Sequence, residues 1–180
     1  MRSSLALGQS VEWRSMKPVK LSDLVDALDF DFDEQGSWVD LEKGCVVCLS
    51  HSLLSAVEEG DEDVGSLGEW ESEELEIAKA MVADSEGGRF VDAPGKFDFH
   101  EYRHMERFIG TVENSAAAEQ LWQAIKGKRA FRHFKDTAGR LGLLEQWYQY
   151  RDSAMKDFVR DWAEAHQIPL INDTSANPQP

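Results

Sequence analysis

Apolar residues recur along this chain with two different periods. Leu21, Leu24, Val25 and Leu28 are three or four residues apart, which predicts a short helix over 22–29, with Ser22 as N-cap and Asp23 in its first turn. Over 37–50 the period shortens. Trp38-Val39-Asp40-Leu41 and Cys45-Val46-Val47-Cys48-Leu49 flank Glu42-Lys43-Gly44, which predicts a β-hairpin with Gly44 at a left-handed turn position. Residues 58–74 are acidic, contain three glycines and no base, and predict a loop. Leu75, Ala78, Met81 and Val82 give a helix over 72–84 its inner face, and Arg89-Phe90-Val91-Asp92 is a short strand stopped by Pro94-Gly95. The rest is helical: 98–113, 115–126, 129–141 closed by Gly142, and 144–166. Strands early and helices late define an α+β fold, a small antiparallel β-hairpin packed with a helix-rich C-terminal half. The expected organisation is one domain over 19–168, a disordered extension over 1–18 and a tail over 169–180.

Composition narrows the class. With 180 residues, 42% hydrophobic, six Trp and nine Phe, the chain can build a core. No apolar run approaches the about 18 residues of a membrane span. Two cysteines do not make a disulfide scaffold and fit a reducing compartment, so a cytoplasmic location is expected. The formal charge of −15 is unevenly spread. Residues 1–95 hold 22 acids and 7 bases, whereas residues 96–180 hold 12 of each. Lys126, Lys128, Arg129, Arg132 and Lys135 follow one another with no acid between them. An acidic whole argues against non-specific nucleic-acid binding by the chain as a unit, while a dipolar distribution steers charged partners.

Several motifs resemble chemistry. His100-Glu101-Tyr102-Arg103-His104 reads H-E-x-x-H, in which two histidines one helical turn apart bind zinc and the glutamate activates water. On a continuous helix over 98–113, however, Tyr102, Met105, Phe108, Ile109 and Val112 form the apolar side. His100 and His104 then face water beside Arg103 and Arg107, so no metal site is expected there. Asp31, Asp33, Gln35, Gly36 and Glu42 approximate an EF-hand loop, but Val39 takes a ligand position and the exit segment reads as strand. Cys45-Val-Val-Cys48 lies in a β-branched run that directs the two thiols to opposite faces, and reads as buried structural cysteines. The 129–141 helix divides into an apolar stripe (Ala130, Phe131, Phe134, Ala138, Leu141) and a polar face (Arg129, Arg132, His133, Asp136, Arg140) suited to an anion. Arg151 falls among Tyr148, Met155, Phe158 and Trp162, where a cation needs a carboxylate or carbonyl partner, or else serves an anionic ligand.

Three segments carry a resemblance. Glu101-Tyr102-Arg103, Met105 and Phe108-Ile109 match E-Y-R-x-M-x-x-F-I. Ala130-Phe131-Arg132 and Phe134-Lys135-Asp136 match A-F-R-R-F-K-D, and Trp147-Tyr148 with Arg151 match W-Y-x-F-R. With the 38–44 hairpin, these motifs resemble the bacterial uncharacterised protein family UPF0158 over about residues 19–168, with His133 and Tyr150 departing from the pattern. The resemblance implies no activity, substrate or catalytic residue.

The leading expectation is therefore a bacterial, non-catalytic, acidic interaction or regulatory module that takes no cofactor and binds a protein partner with a basic surface. One alternative is phosphate binding of nucleic acid through the basic helix 126–140, and another is a metal-dependent hydrolase using His100, Glu101 and His104. The candidate anion or partner residues are Arg129, Arg132, His133, Asp136, Arg140 and Arg151.

Overall fold

The structure, a computed structural model, describes residues 16–29, 34–60, 69–84 and 87–173. In chain order these form β1 (Val19–Lys20), α1 (Leu21–Asp29), β2 (Gln35–Asp40), β3 (Cys45–Ser50), α2 (His51–Glu59), α3 (Glu69–Ala83), β4 (Phe90–Asp92), α4 (Lys96–Phe99), α5 (Glu101–Ile109), α6 (Ser115–Ala124), α7 (Ala130–Arg140), α8 (Leu144–Ala165) and β5 (Leu170–Ile171). The α+β class is confirmed.

The hairpin pairs Trp38 with Val47 and Val39 with Val46, and β4 adds antiparallel to its other edge, pairing Val39 with Val91. Gly44 has φ +71, and a Cβ there would meet the Pro18 carbonyl at 2.7 Å, so both the turn and the approach of the N-terminal segment require glycine. The termini meet as well: β1 and β5 pair in parallel, and regular structure continues to Ile171, inside the stretch expected as a tail. Ser22 is not the N-cap. α1 begins at Leu21, and the Ser22 N–H and hydroxyl both donate to the Asp173 carboxylate.

Two elements depart from the sequence reading. The first is α2, which begins immediately after β3; its N-cap Ser50 accepts from the Leu53 N–H, and Gly60 closes it in the left-handed conformation. The acidic 58–74 stretch is therefore helical at both described ends, with 61–68 outside the described residues. The second is a break in the expected 98–113 helix. His100 has φ 50 and ψ 57, ending the single turn of α4 and capping α5. The break follows from packing, because the residues on its two sides belong to different cores.

The first core gathers Leu21, Leu24 and Leu28 of α1, Val39 of β2, Phe99, and Met155, Val159 and Ala163 of α8. The second gathers Met105, Phe108 and Ile109 of α5, Leu121 and Ile125, Phe134 and Ala138 of α7, and Trp147 of α8. Phe108, Phe134 and Trp147 meet edge to face, with centroids 4.9–6.1 Å apart. Among the described residues, only α8, with its 22 residues, contributes buried side chains to both cores.

The sheet is pinned by a buried charge. Asp40 is fully buried and accepts from Arg89 Nε at 3.0 Å and Nη2 at 2.7 Å, as well as from the Glu42 and Lys43 N–H groups of the turn. Burial pushes the Asp40 pKa up, but the hydrogen bonds from Arg89 and the turn outweigh it, so the net shift is below the ordinary 3.8. Because the unfolded chain binds this proton more tightly, the stability Asp40 contributes above its ordinary range is lost as pH falls through its lower folded pKa. Urea midpoints measured from pH 7 to pH 2.5 should fall with acid in the wild type, and less steeply in Asp40→Asn. At pH 7, Arg89→Met should cost about 3–5 kcal/mol by leaving Asp40 unpaired.

Candidate functional site

Arg151 lies between the two cores, where α8 passes from one to the other. Its Nε donates to Glu101 Oε1 at 2.8 Å, and its Nη2 to Asp29 Oδ1 at 2.6 Å. The fork thus joins the last residue of α1, the first of α5 and the middle of α8. Burial disfavours its charge, but the two carboxylates more than offset that, and its pKa is raised. The geometry is that of a structural clamp with both carboxylates already engaged.

Beside the clamp lies a cleft of about 410 Å³, lined by Phe97, His100, Tyr102, Arg103 and Phe131 together with Lys96 and Glu101. The rings are unusually open: Phe97 is 83% exposed, Phe131 44% and Tyr102 38%. Phe131 and Tyr102 were expected in the apolar stripes. On α7 the inward positions fall instead to Ala130, Phe134 and Ala138, which leaves Phe131 outside. Tyr102 reaches the rim of the second core, where its hydroxyl donates to the Ile125 carbonyl at 3.3 Å. The cleft therefore abuts the α6–α7 connection.

The polar residues expected on the 129–141 helix do not all converge. Arg129 is not helical; it caps α7 with φ 62 and ψ 31. Arg132 sits 3.9 Å from Asp136 in an exposed pair. His133 and Arg140 line a second concavity, about 440 Å³, between α6 and α7, together with Lys126, Gln120 and Thr137. Arg151 belongs to the clamp, away from this face.

The motif look-alikes are revised by the geometry. His104 is not on a water-facing side; it is half-buried, and its ring stacks on Phe99 at 4.1 Å and 9°. The left-handed backbone of His100 breaks the helical run, so the two histidines are not residues i and i+4 of one α-helix. No group of three or more His, Cys, Asp or Glu is placed to hold a metal among the described residues. Cys45 is half-buried and Cys48 exposed, so the cysteines are not both buried as expected: β3 turns Cys48 outward toward the Ser37 hydroxyl, 3.4 Å away. Burial, and secondarily the charge of Asp40, pushes the Cys45 thiol pKa up. Of the EF-hand positions, Asp31 and Asp33 lie outside the described residues; Gln35 and Gly36 are paired in β2, and Glu42 bonds Arg89 at 3.1 Å.

The molecule is a helix-rich α+β protein with two cores sharing one helix and an exposed aromatic cleft at their junction. This chain belongs to the uncharacterised protein family UPF0158, whose profile matches residues 16–179. A relative from Pseudomonas aeruginosa, named UPF0158 protein PA5073, is 26% identical over 156 residues, covering 85% of this chain and 87% of the relative. No solved structure matches the chain.

Replacing Arg151 with Met should cost about 2–4 kcal/mol in urea unfolding, because it strands the largely buried carboxylate of Glu101. Arg151→Lys should recover only part of that, lacking the two-pronged fork. Lys156→Met, which removes an i,i+4 pair with Asp152, should change stability by about 0.5 kcal/mol or less.

His104 titrates in a second test. Burial, and then the neighbouring Arg107, lower its pKa below 6.5, against smaller opposing contributions from the Phe99 backbone and Glu101. Stability from neutral His104 is therefore present above 6.5 and lost as pH falls below it. NMR titration of its Hε1 proton should give a midpoint below that of an unstructured histidine, and His104→Gln should flatten the stability profile between pH 7 and 5.

Proposed function

We propose that this protein is a non-catalytic interaction module that docks a basic, amphipathic protein segment on its acidic half. The observation that supports this reading is a groove of about 610 Å³ between α3 and the β2–β3 turn. Leu75, Ile77 and Ala80 form its half-exposed apolar floor, and Glu73 and Glu76 stand along it. Lys43 and Arg89 also line the groove; Arg89 is met by Asp40 and Glu42, and Glu76 bonds Lys79 at 3.0 Å, so the acidic excess is that of the whole first half of the chain. The neighbouring α2 buries no residue, although Leu53, Leu54, Ala56 and Val57 lie along it. Apolar surface that the fold itself leaves half covered, next to excess negative charge, fits a partner that brings both leucine-like side chains and lysines or arginines.

A helical peptide with leucines on one face and lysines on the other tests this, followed by fluorescence anisotropy. Binding should weaken as salt rises, and Glu73→Lys combined with Glu76→Lys should weaken it roughly tenfold or more. The same peptide with glutamates for lysines should not bind. Affinity unchanged by the double charge reversal would sink the reading.

A further inference from the structure

We propose that the cleft between α4, α5 and α7 binds single-stranded nucleic acid by base stacking, with the backbone phosphates running along the α6–α7 connection. This site lies apart from the acidic groove and stands on different residues.

The first argument is the rings. Phe97, Tyr102 and Phe131 come from three different helices, remain open to solvent, and line one concavity. Isolated exposed aromatics are ordinary, but three around one hollow form a stacking platform. Every base offers a π-face, and each such stack contributes binding without reading sequence.

The second argument is charge. Arg103, His100 and Lys96 line the same cleft, and its one acid, Glu101, is bonded to Arg151. The Tyr102 hydroxyl bonds the Ile125 carbonyl, so the platform adjoins the segment that carries Lys126, Lys128 and Arg129. Lys126 then opens onto the second concavity, which His133 and Arg140 also line. Of the acids near this track, Asp136 faces Arg132, and Glu119, which lines the second concavity, is outnumbered there by Lys126 and Arg140. Rings that lead onto a line of cations match the alternation of bases and phosphates in an unpaired strand. A duplex hides the base faces that the rings require.

The third argument is strain. Of the three left-handed non-glycine residues among the described residues, Gln167 follows α8, His100 lines this cleft, and Arg129 lies two residues before Phe131, which lines it. Left-handed dihedrals at such residues cost of order 1–3 kcal/mol and concentrate at functional sites. Here they orient the first turns of α5 and α7, which present Tyr102, Arg103 and Phe131.

Fluorescent oligo-U and oligo-dT, each single-stranded, and their duplexes with complementary strands are titrated with the full chain. Both single strands should bind better than the duplexes, since stacking and phosphate contact are common to RNA and DNA. Phe97→Ala and Phe131→Ala should each weaken binding roughly 5- to 150-fold without shifting the thermal melt, because both rings are exposed. Lys128→Gln should reduce the slope of log affinity against log salt by about 0.7. Preference for the duplex, no binding at low salt, or affinity unchanged in the Phe97→Ala, Phe131→Ala double variant would overturn the proposal. The acidic-groove variant Glu73→Lys, Glu76→Lys should retain the dependence on Phe97 and Phe131, so this test and the peptide test fail independently.

Discussion

The fold depends on one helix serving two cores. α8 buries Met155, Val159 and Ala163 against α1 and the sheet, and Trp147 against α5, α6 and α7. A helix shared this way lets the two cores slide along it unless something fixes their relation. Arg151 sits between the two sets of buried residues and fixes it: its fork holds Asp29 at the end of α1 and Glu101 at the start of α5. A fork holds direction as well as distance, which a lysine in the same place would not do. The cost is a partly buried cation, and two carboxylates offset it. Glu101 then sets where α5 begins, and with it where Tyr102 and Arg103 emerge.

The same arrangement sorts the charge. The excess acid lies in the half that forms α1, the sheet, α2 and α3, while the half that builds the second core is neutral overall and locally basic at the α6–α7 connection. At physiological salt the screening length is about 8 Å, so each surface acts on what touches it more than on what touches the other. A net charge of −15 therefore does not prevent a local cationic track from meeting phosphate, although it weakens long-range attraction. The proposed peptide groove and the proposed strand cleft are compatible on one molecule because they lie on different elements.

Much of this was legible in the sequence, and the failures share a cause. The hairpin and the helices from α6 to α8 follow from period and glycines, and their ends fall close to where Gly142 or the apolar repeat places them. Arg151 was also legible: a cation in an apolar stripe needs partners, and it has them. α2 was missed although Ser50 and Gly60 bracket it, because the neighbouring acids and glycines dominate the local composition. The break at His100 was not legible at all. No glycine or proline marks it, and its reason is that Phe99 and Met105 belong to different cores, a fact of tertiary structure. Tyr102 and His104 keep their phase within α5; what the break changes is that Phe99, on its far side, stacks over His104 and covers it.

The residues that carry the family resemblance divide the same way. Met105, Phe108, Ile109, Ala130, Phe134 and Trp147 are buried in the second core, and Glu101 with Arg151 is the clamp that sets it against the first. These have a packing reason to be what they are. Tyr102, Arg103 and Phe131 do not: they are exposed and contribute little to either core. A stable fold needs no open phenylalanine beside a left-handed arginine cap, and a glycine at 100 or 129 would adopt the same dihedrals with less strain. Histidine and arginine differ from glycine at those two positions in carrying a side chain that can meet an anion, beside a cleft whose rings are open to solvent. Under the proposal, a ligand that stacks and carries negative charge accounts for both the strain and the exposure at this cleft.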